Sequence, residues 1–253
     1  MELRVEEGYG IVTDMRALRP DEDFSPLHSV YVDQWDWEKH ISESDRTLKY
    51  LRSTVISIYE ALKRTEFLVC DTTPGMVPVL PAEIEFVHAE ELVQMYPLLT
   101  PKEREEVYVK DHGAAFVIGI GGVLSDGKRH DGRAPDYDDW STINEDGYSG
   151  LNGDIIVWHP ELECAFELSS MGIRVNREAM VKQLAECGCA ERASLPFHKT
   201  LLSGVLPQSI GGGIGQSRVC MFMLRKSHIG QVQVGVWPEA VRMRLAETGV
   251  ILM

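Results

Sequence analysis

The sequence predicts an α+β fold, and three patterns carry that prediction. Leu48, Leu51, Val55, Ile58 and Leu62 recur at steps of 3, 4, 3 and 4 with Lys, Arg and Glu between them, the signature of an amphipathic helix. Ala114 to Ile120 is a continuous apolar run ending at Gly121-Gly122, the profile of a strand buried on both faces and expected near the centre of a sheet. Residues 154–159 and 164–170 flank Pro160-Glu161-Leu162-Glu163 and read as two strands joined by a turn. With 253 residues, 44% hydrophobic and 25% charged, the chain has the make-up of an ordinary globular protein. No linker, repeat or low-complexity stretch divides it, so a single domain over 1–253 is expected.

The remaining elements follow in order. Residues 10 to 37 read as two extended segments around Arg19–Pro26, a loop punctuated by Pro and Asp that should be exposed and mobile. In the second segment, His28 to Trp37, period-two alternation puts Val30, Val32, Gln34 and Asp36 on one face, running from core into something polar. The helix that begins after Ser44 closes at Asp71-Thr72-Thr73-Pro74-Gly75. A short strand is predicted over Glu83 to Val87, with helices over Ala89 to Tyr96 and Pro101 to Asp111. Residues 125 to 153 are rich in Gly, Asp, Arg and Tyr without any period, and a loop this long in a compact domain is usually functional or disordered. Residues 176 to 187 read as helix. Gly211-Gly212-Gly213-Ile214-Gly215 reads as a tight turn that opens a buried helix over Gln216 to Arg225.

Charge and cysteine content exclude several functions. Lys plus Arg is 25 against Asp plus Glu 39, a net charge of −14, which opposes attraction to nucleic acid or anionic membrane. No apolar run approaches a membrane span, and the start Met1-Glu2-Leu3-Arg4-Val5-Glu6-Glu7 is acidic where a signal peptide would be basic. The cysteines Cys70, Cys164, Cys187, Cys189 and Cys220 are odd in number and unevenly spread, as for reduced thiols. A cytoplasmic protein is expected. Cys187-x-Cys189 with His198 lacks zinc-knuckle spacing and is read as incidental.

The candidate chemistry is that of phosphates. If the turn between the paired strands centres on Pro160-Glu161, Asp154 lies directly opposite Glu167, and like charges there are destabilising. A Mg²⁺ ion that also bridges nucleotide phosphates would compensate; a shifted register or an arginine in the gap would do so too. The glycine cluster before Gln216-Ser217-Arg218 would let a backbone approach an anion closely, although a turn without a ligand explains the glycines equally. Arg19, Arg133, Arg174 and Arg218 flank glycine, proline or carboxylate-rich segments, and such a set suits an anionic substrate in an acidic protein. No nucleophile elbow is present, and His28, His112, His130 and His198 have no dyad spacing.

Ala17–Asp23, Ser25–Glu38, Arg133–Trp140, Phe166–Val175 and Gly211–Arg218 closely resemble the bacterial ammonia-dependent asparagine synthetase family, and the resemblance runs from about Gly10 to the end. That family is similar to the core of a class II aminoacyl-tRNA synthetase. The resemblance implies an antiparallel sheet flanked by helices, with ATP and Mg²⁺ used to activate L-aspartate as β-aspartyl-AMP before ammonia displaces AMP. It implies that Arg19 contacts the α-phosphate and that Arg218 lies by the adenine and terminal phosphates. His28, Ser29, Gln34, Leu168, Gly211 and Gly213 would complete the ATP surface. Asp154 and Glu167, with Ser170 as a further candidate, would hold Mg²⁺. Arg174 would clamp an aspartate carboxylate, Gln34 and Asp36 would orient the substrate amino group and the adenylate, Ser170 would contact the substrate, and Asp138 would sit on a closing loop that positions ammonia.

The family normally carries on the order of 80 further residues ahead of this chain's start, a region that holds the dimer motif and part of the aspartate pocket. A homodimer is therefore implied by the resemblance but in doubt here. A ligase is the first expectation, and a non-catalytic paralogue that binds ATP or aspartate is the alternative. Neither nucleic acid nor membrane is expected as a partner.

Overall fold

A computed structural model describes residues 5–253, so Met1–Arg4 of the acidic start lie outside the described residues. Its strands are β1 (Gly10–Leu18), β2 (Tyr31–Ile41), β3 (Glu85–His88), β4 (Ala114–Ile118), β5 (Asn152–His159), β6 (Cys164–Ile173) and β7 (Gln208–Gly215). Its α-helices are α1 (Leu48–Thr72), α2 (Ala89–Met95), α3 (Pro101–His112), α4 (Arg177–Glu186), α5 (Pro196–Leu202), α6 (Gln216–Met223) and α7 (Glu239–Glu247). The strands form one sheet in the order β1-β2-β7-β6-β5-β4-β3. All neighbours are antiparallel except β3 and β4, so the expected antiparallel sheet is in fact mixed. β4 is buried along its whole length, yet it lies next to the edge strand β3 and not at the centre; helices on both faces bury it.

The helical stripe of α1 does the work its period predicts. Thr47 caps the helix by accepting from the Tyr50 amide, and Leu48, Leu51, Val55, Tyr59 and Leu62 pack against Phe116, Ile155, Val157 and Phe166 on one face of the sheet. Each such aliphatic side chain contributes about 1.5–3 kcal/mol relative to exposure. Phe222 of α6 joins the same core. On the other face α2 and α3 cover only the β3 end, where Leu92, Tyr108 and Val109 meet Ala115, Val117 and Ile156. That face is left open over β2, β7 and the second half of β6.

The segment without a period is ordered by two turns that each dock on a helix. Leu124 pairs with Lys128, and Asn144 with Tyr148, around Asp126-Gly127 and Asp146-Gly147. Asp126 pairs with Arg104 of α3 at 3.0 Å, while both Glu145 carboxylate oxygens accept from the Leu48 amide at the N-terminus of α1. Asp-Gly at a tight turn is a hairpin signal that the composition of the segment obscures.

Two further expectations are corrected. Gly211–Gly213 are strand and not turn: they run between β2 and β6, and none has positive φ. A Cβ on Gly212 would stand 2.5 Å from the Ser170 carbonyl, so only glycine fits against that backbone, and one on Gly213 would stand 2.8 Å from both Asp36 Oδ1 and Gln34 Oε1 and would displace these side chains. The Val30–Asp36 face does not begin in the core either. Val32 lines the same open cleft as Gln34, while the opposite face of β2 sends Asp33 to Ser217 of α6 at 2.7 Å and Ile41 into the core.

Candidate active site

The open face of the sheet forms a cleft of two lobes. Arg19, Gln34, Glu167 and Gly213 line both and therefore form the wall between them. One lobe continues past His28, Ser29, Leu168 and Arg218; the other, of about 600 Å³, continues past Asp36, Asp138, Ser170 and Arg174. Gly211 lies just behind the second lobe, where a Cβ would stand 2.6 Å from Glu38 Oε2. Asp154 lies beneath it, 5% exposed.

The turn between β5 and β6 is longer than the sequence suggests. Glu163 adopts φ 49°, and the pairs begin with His159 opposite Cys164, so Ile156 and not Asp154 faces Glu167. A bulge then drops Leu168 from the ladder and brings Asp154 opposite Ser170. The expected direct Asp154–Glu167 pairing is thus overturned. Arg133 also occupies the gap, with its guanidinium 2.5 Å from Asp154 Oδ1. Burial, opposed by Arg133 and reinforced by the charge on Glu167, pushes the Asp154 carboxyl up to about 7. The two carboxylates still repel one another, although they are not opposite.

In the second lobe acids and arginines alternate. Arg174 reaches Glu38 Oε1 through Nε at 2.6 Å and donates Nη1 to Asp138 Oδ1. Its guanidinium lies over the Tyr137 ring, 5.5 Å from the centroid. Asp138 Oδ2 stands 3.5 Å from Arg133 Nε and has no hydrogen-bond partner among the described residues. Burial raises the Asp138 carboxyl above the usual range against the pull of Arg174 and Arg133, and burial raises Asp36 against Arg174.

The Asp138 segment is held from behind. Gln183 of α4 accepts from the Trp140 amide and donates to the Pro135 and Asp138 carbonyls, all within 3.0 Å. Arg46 pairs with the buried Asp139 at 2.6 Å and donates to the Arg174 carbonyl. Asp138 is fully buried, and these contacts tie its segment to α4 and to Arg46.

In the first lobe Arg218 donates to His28 Nε2 at 3.1 Å and to the Glu167 carbonyl at 3.2 Å, and its Nη1 stands 3.4 Å from Glu167 Oε2. A guanidinium has only donors, so Nε2 of His28 accepts and Nδ1 carries the proton toward Ser25 Oγ at 2.8 Å. Burial and then the Arg218 charge lower the His28 pKa and keep the ring neutral. Ser29 is held by Gln233 and Tyr31. Arg19, with its side chain 56% exposed, pairs with Glu22 at 3.5 Å and has no other side-chain partner among the described residues.

Sequence reasoning missed Glu38, Tyr137 and Gln183, and it singled out Arg133 without giving it a partner. The alternation Gln34, Asp36 on β2 extends to Glu38 and could have found it. Among the described residues no group of three or more His, Cys, Asp or Glu is placed to hold a metal without other ligands, and no helix is long and apolar enough to cross a membrane. A Mg²⁺ ion that takes few protein ligands and several phosphate oxygens would find Glu167 open, with its side chain 43% exposed, whereas Asp154 is buried with one oxygen already held by Arg133 and offers at most the other.

Comparison with known proteins identifies the family and the fold. The aspartate-ammonia ligase family model matches residues 1–249. The aspartate–ammonia ligase of Parabacteroides distasonis is 58% identical over 249 residues, 98% of this chain and 72% of that protein. Among solved structures, the asparaginyl-tRNA synthetase of Entamoeba histolytica in complex with asparaginyl-adenylate matches with a TM-score of 0.63 at 12% identity, over 88% of this chain and 51% of that one. The asparaginyl-tRNA synthetase of Pyrococcus horikoshii complexed with asparaginyl-adenylate gives 0.63 at 11% identity, over 90% of this chain and 54% of that one. The chain spans about half the length of these synthetases, and at such identity the likeness shows the fold alone. The fold is that of a class II synthetase core, and with more than half its residues shared with a ligase along nearly its whole length, the chain belongs to the aspartate–ammonia ligase family.

Proposed function

We propose that this chain makes L-asparagine from L-aspartate and ammonia by way of β-aspartyl-AMP, releasing pyrophosphate and then AMP. The observation that carries the reading is the two-lobed cleft, whose shared wall holds Arg19 and Glu167. In this reading ATP would occupy the lobe with His28, Ser29, Leu168 and Arg218, and aspartate the lobe with Asp36, Ser170 and Arg174. Their reacting ends then meet at Arg19.

In the first step a β-carboxylate oxygen of aspartate attacks the α-phosphorus, and the bond to pyrophosphate breaks. Negative charge grows on the α-phosphoryl oxygens, and the exposed guanidinium of Arg19 at the wall can stabilise it. Arg218, fixed by His28 and Glu167, can hold the adenine and the terminal phosphates. Positioning and charge neutralisation suffice for such an in-line transfer, which needs no nucleophile elbow or catalytic triad. Mg²⁺ held by Glu167, with Asp154 behind it, would neutralise phosphate charge.

In the second step ammonia attacks the β-carbonyl carbon, the C–N bond forms, AMP leaves and one proton is lost. Asp138 Oδ2, which stands 3.5 Å from Arg133 Nε and makes no hydrogen bond among the described residues, can accept one from the incoming ammonia or ammonium and hold it beside the acyl group. Gln34 and Asp36, on the face of β2 turned to the cleft, can orient substrate and adenylate.

The test is exchange of labelled pyrophosphate into ATP by the purified chain. Exchange that requires aspartate and Mg²⁺, with asparagine formed on addition of ammonium, is the expected result. ATP binding without exchange would refute the ligase and favour a paralogue that only binds its ligands.

A further inference from the structure

Arg174 is bound on every side, and its partners differ in how firmly they are held. Asp138 is fixed by the grip of Gln183 on its backbone and is almost wholly enclosed, and the Tyr137 ring backs the guanidinium. Glu38 is the exception: its side chain is 41% exposed to the cleft, it touches Arg174 Nε and Nη2 through Oε1 alone at 2.6 and 2.5 Å, and its Oε2 makes no hydrogen bond among the described residues. The protein keeps a place for this carboxylate. Gly211, directly opposite on β7, lacks the Cβ that would collide with it.

A substrate carboxylate therefore cannot take the Nε–Nη2 fork of Arg174, the geometry that receives a carboxylate best, until Glu38 leaves. Glu38, once displaced, loses its one cationic partner among the described residues. An α-amino acid removes that difficulty, because it carries an ammonium on the same carbon as the carboxylate. One internal ion pair is exchanged for two intermolecular ones, and every charge stays paired.

We propose that Glu38 is the specificity residue for the substrate α-amino group: it yields Arg174 to the α-carboxylate and takes the α-ammonium in return. This rests on the reading that the lobe binds aspartate, and it identifies what selects an amino acid over a plain dicarboxylic acid there. Succinate has both carboxylates of aspartate but no ammonium. It displaces Glu38 without supplying a replacement cation, so the site rejects it.

The experiment compares the chain with its Glu38→Gln and Glu38→Ala variants, measuring apparent affinity for L-aspartate and for succinate by thermal shift in the presence of ATP and Mg²⁺. Wild type is expected to prefer aspartate by at least tenfold. In Glu38→Gln the preference falls at least tenfold, with the two affinities moving in opposite directions: aspartate weakens because its ammonium loses an ionic partner, and succinate tightens because Arg174 is freed. A merely structural Glu38 would weaken both together, and that result, or an unchanged ratio, overturns the proposal. Glu38→Ala, which cannot hold Arg174 at all, must show the same opposed shifts. Because the readout is binding, the two readings fail separately. Opposed shifts without pyrophosphate exchange would refute the ligase and keep Glu38, whereas normal exchange with an unchanged ratio would refute Glu38 alone. A wild type stabilised by neither compound overturns both.

Discussion

Gln183 is the side chain through which the helical layer sets the geometry of the cleft, and removing its amide gives a quantitative test. It lies on α4, has no exposed surface, and makes three hydrogen bonds to the backbone of the segment carrying Asp138, at 3.0, 3.0 and 2.9 Å. Methionine has similar length and bulk but offers none of them. Each bond contributes about 0.5–1.5 kcal/mol net, and the Trp140 N–H and two carbonyls left behind are sealed from water, so Gln183→Met should cost about 3–4 kcal/mol. Urea unfolding at pH 7.5 measures that loss through the midpoint at constant slope. The functional signature is separate: under conditions where the variant is folded, pyrophosphate exchange should persist while the KM for ammonium rises at least fivefold, because Asp138 Oδ2 no longer points steadily at the second-step site. A loss below about 1 kcal/mol would mean that the Arg46–Asp139 pair holds the segment unaided. Equal falls in exchange and in ammonium use would refute the assignment of Asp138 to the second step.

Three further results are expected. Arg19→Ala should lower pyrophosphate exchange by about 3–4 kcal/mol of transition-state stabilisation with little change in thermal stability, since the side chain is exposed and has one weak partner; unchanged turnover would exclude it from the α-phosphate. Gly213→Ala places a Cβ 2.8 Å from Asp36 Oδ1 and Gln34 Oε1, so the KM for aspartate should rise about tenfold or more, a loss of about 1.4 kcal/mol or more in binding, and an unchanged KM would show that both side chains move aside freely. His159 is sealed between Phe166 and Phe222, its Nε2 has no hydrogen-bond partner among the described residues, and burial, followed by the charge on Arg225, lowers its pKa to about 4. The unfolded chain binds that proton more readily, so its contribution is complete above about 6.5 and is lost as pH falls toward 4; between pH 7.5 and 5.5 this amounts to about 1 kcal/mol after screening. His159→Phe should flatten the pH dependence of unfolding by that amount, and parallel curves for wild type and variant would refute the assignment.

What the sequence alone determined is whatever is written within one element or one short segment. The 3-4-3-4 stripe of α1 fixed its buried face, the apolar run at 114–118 fixed a strand, and the family segments supplied the arginines and acids that the fold gathers into one cleft. The ordered turns at 124–128 and 144–148 were also legible, as Asp-Gly steps, but a composition poor in apolar residues hid them. Only the tertiary structure decided how these pieces meet. A turn one residue later than the symmetric one and a bulge at Leu168 moved Asp154 from Glu167 to Ser170, because register depends on turn length and bulges and not on the periodicity of either strand. The glycines at 211–213 read as a turn until β2 and β6 were seen to press on both sides of them. The pairing of Glu38 with Arg174 joins residues 136 apart in sequence. Each residue is unremarkable in its own strand, and a charge has no role until the fold sets which opposite charge it faces and how much water lies between them.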